Sequence, residues 1–250
     1  MTAFFSTETL DDGIAVLRLN RQPVNALNPE FLNALHSGFD ALEKDADVRA
    51  VVLTSATKVL SAGMDLKEIL DFSSDEERAV VEGLNVTFAK MYGFPKPMIT
   101  AANGHAIAGG LFFVFTGDYR LGVENAVFGL TEVRVGVDFP IGPLEIARYE
   151  MAPNVARKIF QRGQNVSARK ALEYGIIDEI AAPEALLDRA IELAHEYAAI
   201  PPKAYAAVKS QLRAPAMSII SKANTDQSDP ALTGWFTDET KTAARKILAG

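Results

Sequence analysis

Residues 102–117 read Ala-Asn-Gly-His-Ala-Ile-Ala-Gly-Gly-Leu-Phe-Phe-Val-Phe-Thr-Gly. The Asn103-Gly104 pair ends an apolar run from Met98 to Ala102, as a turn ends a strand. After Gly109 the residues are apolar on all sides, which marks a buried helix. The small residues in between let a ligand approach the backbone closely. A helix starting at Gly109-Gly110 would direct free N–H groups and its positive dipole end at that ligand. A second segment of the same kind, Leu60-Ser61-Ala62-Gly63-Met64-Asp65-Leu66, follows the apolar strand Ala50 to Thr54. Two backbone donors facing one point form an oxyanion hole. A tight turn with close helix–strand packing explains the same glycines equally well.

The first half of the chain alternates strand and helix. Gly13 to Asn20 is a β run with Ala15, Leu17 and Leu19 on one face. Asn28-Pro29 opens a helix, Asn as cap and Pro in the first turn, and Leu32, Leu35, Phe39 and Leu42 follow at helical spacing. Ser74 with Glu77 reads as a capping box, and Leu84, Phe88 and Met91 continue that helix. Tyr119 to Val123 reads as a further strand. The second half is mostly helical: Pro153 to Arg162 ending at Gly163, Ser167 to Tyr174 ending at Gly175, Pro183 to Ala199, and three further helical stretches reaching Leu248. The class expected is α/β, a βαβ-type core followed by a helical C-terminal region, with no internal repeat and no long linker.

Composition removes several function classes. At 250 residues with 48% apolar and 23% charged residues, the chain can build a sizeable core. Its 25 basic and 32 acidic residues leave a net charge of −7, with no basic stripe, which argues against nucleic acid as a partner. There is no cysteine, so disulfides, thiol nucleophiles and thiolate metal sites are excluded. His36, His105 and His195 lie too far apart for metal-ligand spacing, so no metal is expected. From Pro97 to Gly117 no residue is formally charged, about the length of a membrane span. The Asn103-Gly104-His105 interruption favours strand, turn and buried helix over a bilayer, so no membrane partner is expected. With neither a secretory nor a transit signal at the start, the expected location is the cytoplasm. There is no G-x-x-x-x-G-K-[ST], no G-x-G-x-x-G after a strand and no G-x-S-x-G, so phosphate loops, dinucleotide cofactors and serine hydrolase chemistry lack their motifs.

Six segments together resemble the crotonase family, the enoyl-CoA hydratase and isomerase superfamily. In family order they are Pro23–Asn28, Ser61–Lys67, Ala102–Gly110, Gly117–Arg120, Phe128–Glu132 and Ala168–Gly175. The resemblance implies a spiral of ββα units over residues 1–195 and a helical trimerisation region over 196–250. It implies an acyl-thioester substrate with coenzyme A across the first two loops, no separate cofactor, and a homo-oligomer, trimer or hexamer. The oxyanion hole would use the backbone N–H groups of Met64 and Gly109. The substrate would contact Ala62, Gly63, Asp65, Leu66, Gly110, Phe112 and Thr131.

Hydratases of this family use two glutamates. One position corresponds to Phe112 here, and the other to Glu132. Adding water needs a group to orient and deprotonate it, with help from a second, whereas moving a double bond needs one base. An apolar Phe112 also excludes water and raises the pKa of a nearby carboxylate by desolvation. The expected reaction is therefore isomerisation of a 3-enoyl-CoA to the 2-trans-enoyl-CoA in fatty-acid oxidation, with Glu132 as acid and base. The alternative is hydration or hydrolysis of a CoA thioester using Asp138, six residues on, unless Asp138 is only a turn residue. His105 is open to a proton-shuttle or a structural role, while His36 and His195 read as structural or surface residues. Trp235 and Phe236 either pack in a core or close over the ligand. Lys58 and Lys67 either meet the coenzyme's phosphates or are solvated.

Overall fold

The computed structural model describes residues 4–249. Its main sheet has six strands in the order β1 (Phe5–Thr9), β2 (Ile14–Leu19), β3 (Ala50–Ser55), β4 (Met98–Ala102), β6 (Tyr119–Val123) and β9 (Glu179–Ala181). Only β1 runs antiparallel to its neighbour; the other pairings are parallel. β4 is buried along its whole length and β3 up to its last residue, the continuous apolar signature of parallel strands covered on both faces. A small second sheet, β5 (Ala106–Ile107), β7 (Val127–Gly129) and β8 (Asn165–Ser167), stands beside it. This alternation of strand pairs and helices is the ββα spiral expected.

The helices follow local sequence rules. Asn28 caps α1 (Pro29–Lys44), its Oδ1 accepting from the Phe31 N–H at 2.9 Å with Pro29 in the first turn. The capping box of α2 (Ser74–Tyr92) is Ser73 with Glu76 and not Ser74 with Glu77. Both pairs have the same spacing, and the extended backbone of Ser73 (φ −69°, ψ 165°) decides between them. The buried helix expected after Gly109 is a 3-10 turn, Ala108–Gly110, followed by the short α3 (Leu111–Phe115). Its five residues carry little macrodipole, so free N–H groups are what it offers a ligand. α4 (Ile141–Glu150) and α5 (Pro153–Arg162) precede α6 (Ala168–Glu173), and Gly163 at φ 55° closes α5 in the left-handed region.

The stretch Pro97–Gly117 resolves into β4, β5 and α3, and no helix among the described residues is long and apolar enough to cross a membrane. α7 (Leu186–Ala198) covers β3, β4 and β6. The long α8 (Pro202–Asp226) packs on α2 and α4, and α9 (Asp238–Ala249) returns to the 3-10 turn Glu132–Val135. α8 inverts the usual amphipathic pattern. Lys209 and Arg213 point inward and ion-pair with Asp118, while Val208, Leu212 and Ile219 face outward, Leu212 at 73% exposure.

Candidate active site

The two loops singled out by their small residues meet. Bridges join Ser61 to Ala106 and Leu27 to Met64. Glycine is required for this approach: a Cβ on Gly110 would stand 2.3 Å from the Ser61 carbonyl oxygen, and one on Gly63 3.0 Å from the Gly109 nitrogen. Gly63 itself lies at φ +84°. A hydrogen-bonded girder holds the first loop. Buried Asn25 donates to Ser55 Oγ at 2.7 Å and to the Leu60 carbonyl at 2.9 Å, and Ser61 Oγ donates to the Asn25 carbonyl at 2.8 Å. Arg21 donates to Asp65 at 2.9 Å and to Glu68 at 2.5 Å.

This geometry leaves two backbone N–H groups, one in each loop, without an acceptor in their own loop. Leu27 donates to the Gly63 carbonyl (2.7 Å) and accepts from the Asp65 N–H (3.1 Å), which turns the Met64 N–H to the side away from Leu27. Gly109 is the second residue of its 3-10 turn, where an N–H has no acceptor within the turn. The residue before it, Ala108, is held at φ +50°. A non-glycine residue costs on the order of 1–3 kcal/mol in that region, and such strain collects at ligand sites.

Met64 and Gly109 open onto an apolar cavity of about 220 Å³. Ala62, Leu66, Phe112, Thr131, Glu132 and Asp138 line it with them. Gly63, Asp65, Gly110 and His105 are not lining residues. The two glycines shape the loops from behind, and the Asp65 carboxylate is engaged by Arg21. His105 is exposed, and its Nδ1 accepts from the Val127 N–H at 3.1 Å. Lys58 and Lys67 are exposed on either side of the first loop, while His36 and His195 pair with Asp40 and Asp12 on the surface.

Glu132 is the chemically unusual group. Its turn is fastened from two sides: Arg134 Nε donates to the Gly163 carbonyl at 2.7 Å, and Thr240 Oγ1 of α9 donates to the Gly136 carbonyl at 2.9 Å. The residue as a whole is half-buried, yet its Oε2 is sealed from solvent without a hydrogen-bond partner. Burial pushes its pKa up to about 8, only partly opposed by the backbone N–H groups of Glu132 and Thr131. Phe112, in the same cavity wall, is 2% exposed and packs on Phe88 (5.6 Å between centroids) and Phe115 (6.3 Å). Asp138 also borders the cavity, but it is exposed and its Oδ1 accepts from Trp235 Nε1 at 2.9 Å.

Sequence reasoning did not single out Ile69, Leu84, Val137, Phe139 or the α9 residues Ala244 and Ile247 as walls. They are ordinary apolar residues far apart in the chain, and no local signal distinguishes them from core. Trp235 and Phe236 are buried and line the cavity, their rings 4.7 Å apart. A site of this kind can stabilise negative charge on an oxygen at two N–H groups while a nearby carboxyl group gives or takes a proton.

Comparison with known proteins identifies the family. The family model described as enoyl-CoA hydratase/isomerase matches residues 9–242. The protein named probable enoyl-CoA hydratase EchA17 of Mycobacterium tuberculosis is 31% identical over 202 residues, covering 80% of this chain and 77% of its own. The crystal structure of human mitochondrial delta3-delta2-enoyl-CoA isomerase superposes with a TM-score of 0.92 at 26% identity, covering 98% of this chain and 97% of that one. That of probable enoyl-CoA hydratase EchA3 from Mycobacterium tuberculosis H37Rv superposes with a TM-score of 0.84 at 32% identity, covering 90% and 94%. The chain belongs to the enoyl-CoA hydratase/isomerase family and is an enzyme of the crotonase superfamily.

Proposed function

We propose that the protein isomerises 3-enoyl-CoA to 2-trans-enoyl-CoA, a step of unsaturated fatty-acid oxidation, with Glu132 as the sole acid and base. One observation carries this reading. Of the two carboxylates on the cavity wall, Glu132 has a buried oxygen with no hydrogen-bond partner, whereas Asp138 is exposed and engaged by Trp235, and Phe112 stands at the position where the family resemblance puts a second glutamate. The thioester oxygen accepts from the N–H groups of Met64 and Gly109. Ionised Glu132 takes a proton from C2, and the electron pair of that C–H bond moves into a dienolate whose negative charge rests on the thioester oxygen. Losing one such donor typically costs about 3–4 kcal/mol of transition-state stabilisation. The same carboxyl then returns its proton to C4, leaving the double bond between C2 and C3. The coenzyme lies across the loops at Ala62 and Leu66, and no separate cofactor takes part.

The test is conversion of 3-hexenoyl-CoA to its conjugated isomer by the native protein and by Glu132→Gln. Conversion lost in the variant supports the reading; full conversion by the variant refutes it. A second reading, hydration with help from Asp138, draws on the position of that residue at the cavity wall and on the hydratase names of several relatives. Water addition to crotonyl-CoA outpacing isomerisation, and lost in Asp138→Asn, would favour it. The same family reading carries a homo-oligomer, trimer or hexamer, formed from copies of this chain through the outward apolar stripe of α8. Sedimentation of the native protein as a monomer would rule this out, and Leu212→Glu is expected to dissociate the assembly.

A further inference from the structure

The cavity has a second side. Behind it an open groove of about 650 Å³ runs between α4, α5 and the turn that carries Glu132, with Leu144, Ala156 and Phe160 in its wall. Val137, Asp138 and Phe139 border both spaces, so one layer of chain divides them. Within that layer the Phe139 ring is the divider. Phe112 lines only the cavity and Phe160 only the groove, and the Phe139 ring meets each of them edge to face, at 6.4 Å and 4.6 Å. The cavity of about 220 Å³ is small beside the roughly 300–1,000 Å³ of typical ligand sites. Ile247 of α9, also in the cavity wall, is 53% exposed.

We infer that Phe139 closes the acyl end of the cavity and sets the upper limit on chain length, which makes short-chain acyl thioesters the substrate class. This rests on the cavity being an acyl-CoA site. A short tail ends before the wall. A long tail must either displace the Phe139 ring from its contacts with Phe112 and Phe160 or leave methylenes in water. With the ring gone, cavity and groove join, and a long tail continues past Phe112 against Leu144, Ala156 and Phe160.

Binding of saturated acyl-CoAs tests this without turnover. Calorimetric Kd values are measured for butanoyl-, octanoyl- and dodecanoyl-CoA with the native protein, Phe139→Ala and Phe139→Leu. Each buried methylene strengthens binding by about fourfold. The native protein is expected to gain nothing from octanoyl to dodecanoyl. Phe139→Ala is expected to bind dodecanoyl-CoA at least about tenfold tighter than the native protein does, with butanoyl-CoA within about threefold. Phe139→Leu should shift the same way by less, and it decides the matter if the alanine variant does not fold. Native affinity that keeps climbing to dodecanoyl, or variants that change all three affinities by one factor, would overturn the inference. Failure of every acyl-CoA to bind the native protein would instead overturn the reading of the site itself.

Discussion

Two inward-facing carboxylates, Asp118 and Glu132, have opposite surroundings. Asp118 lies beneath α8, its side chain 8% exposed, with Lys209 Nζ at 2.6 Å, Arg213 Nη2 at 2.9 Å and the Met98 N–H at 2.8 Å. Nearby, Arg120 pairs with Glu150, and the Arg213 guanidinium lies 4.1 Å over the Tyr92 ring. Every charge there has a counter-charge, so the cluster ties α8 to the sheet. Among the described residues Glu132 has no salt-bridge partner, and its Oε2 has no hydrogen-bond partner. Asp118 is compensated by two cations, whereas Glu132 has only backbone N–H groups to oppose its desolvation. A buried carboxylate with partners is a rivet, and one without them is available for proton transfer.

Replacing Glu132 by Gln should lower kcat on a 3-enoyl-CoA by about 10²–10⁴-fold, since a positioned base contributes that much. Affinity for a saturated acyl-CoA, measured by calorimetry, should stay within about threefold. An active variant would erase the contrast. Asp118→Asn leaves Lys209 and Arg213 buried without their carboxylate and should cost about 3–5 kcal/mol in urea unfolding.

The pH dependence follows from the raised pKa. The reactive form of Glu132 is ionised, so kcat/KM should climb about tenfold per unit below pH 8 and level off above it. In stability the sign reverses. Between the usual carboxylate pKa of about 4.5 and about 8 the folded state holds a proton that the unfolded chain has lost, so stability falls as pH rises through that window. Calorimetric melting at pH 5 and pH 9 should show the fall in the native protein and lose it in Glu132→Gln. Trp235→Phe removes one hydrogen bond to Asp138 and should cost about 1 kcal/mol, with kcat kept and KM raised a few-fold.

The sequence carried the fold where burial is continuous or periodic. The runs at Ala50–Thr54, Met98–Ala102 and Tyr119–Val123 are strands because both faces are covered, and the pattern shows it. β1 went unseen because four of its five residues are exposed, so it has no apolar rhythm to read. β5, β7, β8 and β9 have two or three residues each, too few for any period to register. At the site, the loops at Gly63 and Gly109 stand out locally, because small residues let the backbone be approached closely, whereas Glu132 is singled out only by the resemblance of Phe128–Glu132 to the family. The setting of Asp138 was not legible, since it depends on Trp235 almost a hundred residues away. The same holds for Phe139, whose place as a divider exists only once α5 brings Phe160 beside it.

Trp235 is the single tryptophan of the chain, and its indole faces the cavity while donating to Asp138. Light absorbed at the red edge of the protein band therefore excites this one wall. When a guest displaces water there or loosens the indole from its acceptor, the emission should change in colour or intensity. The molecule thus contains its own optical gauge of occupancy, with no dye attached and no reaction required.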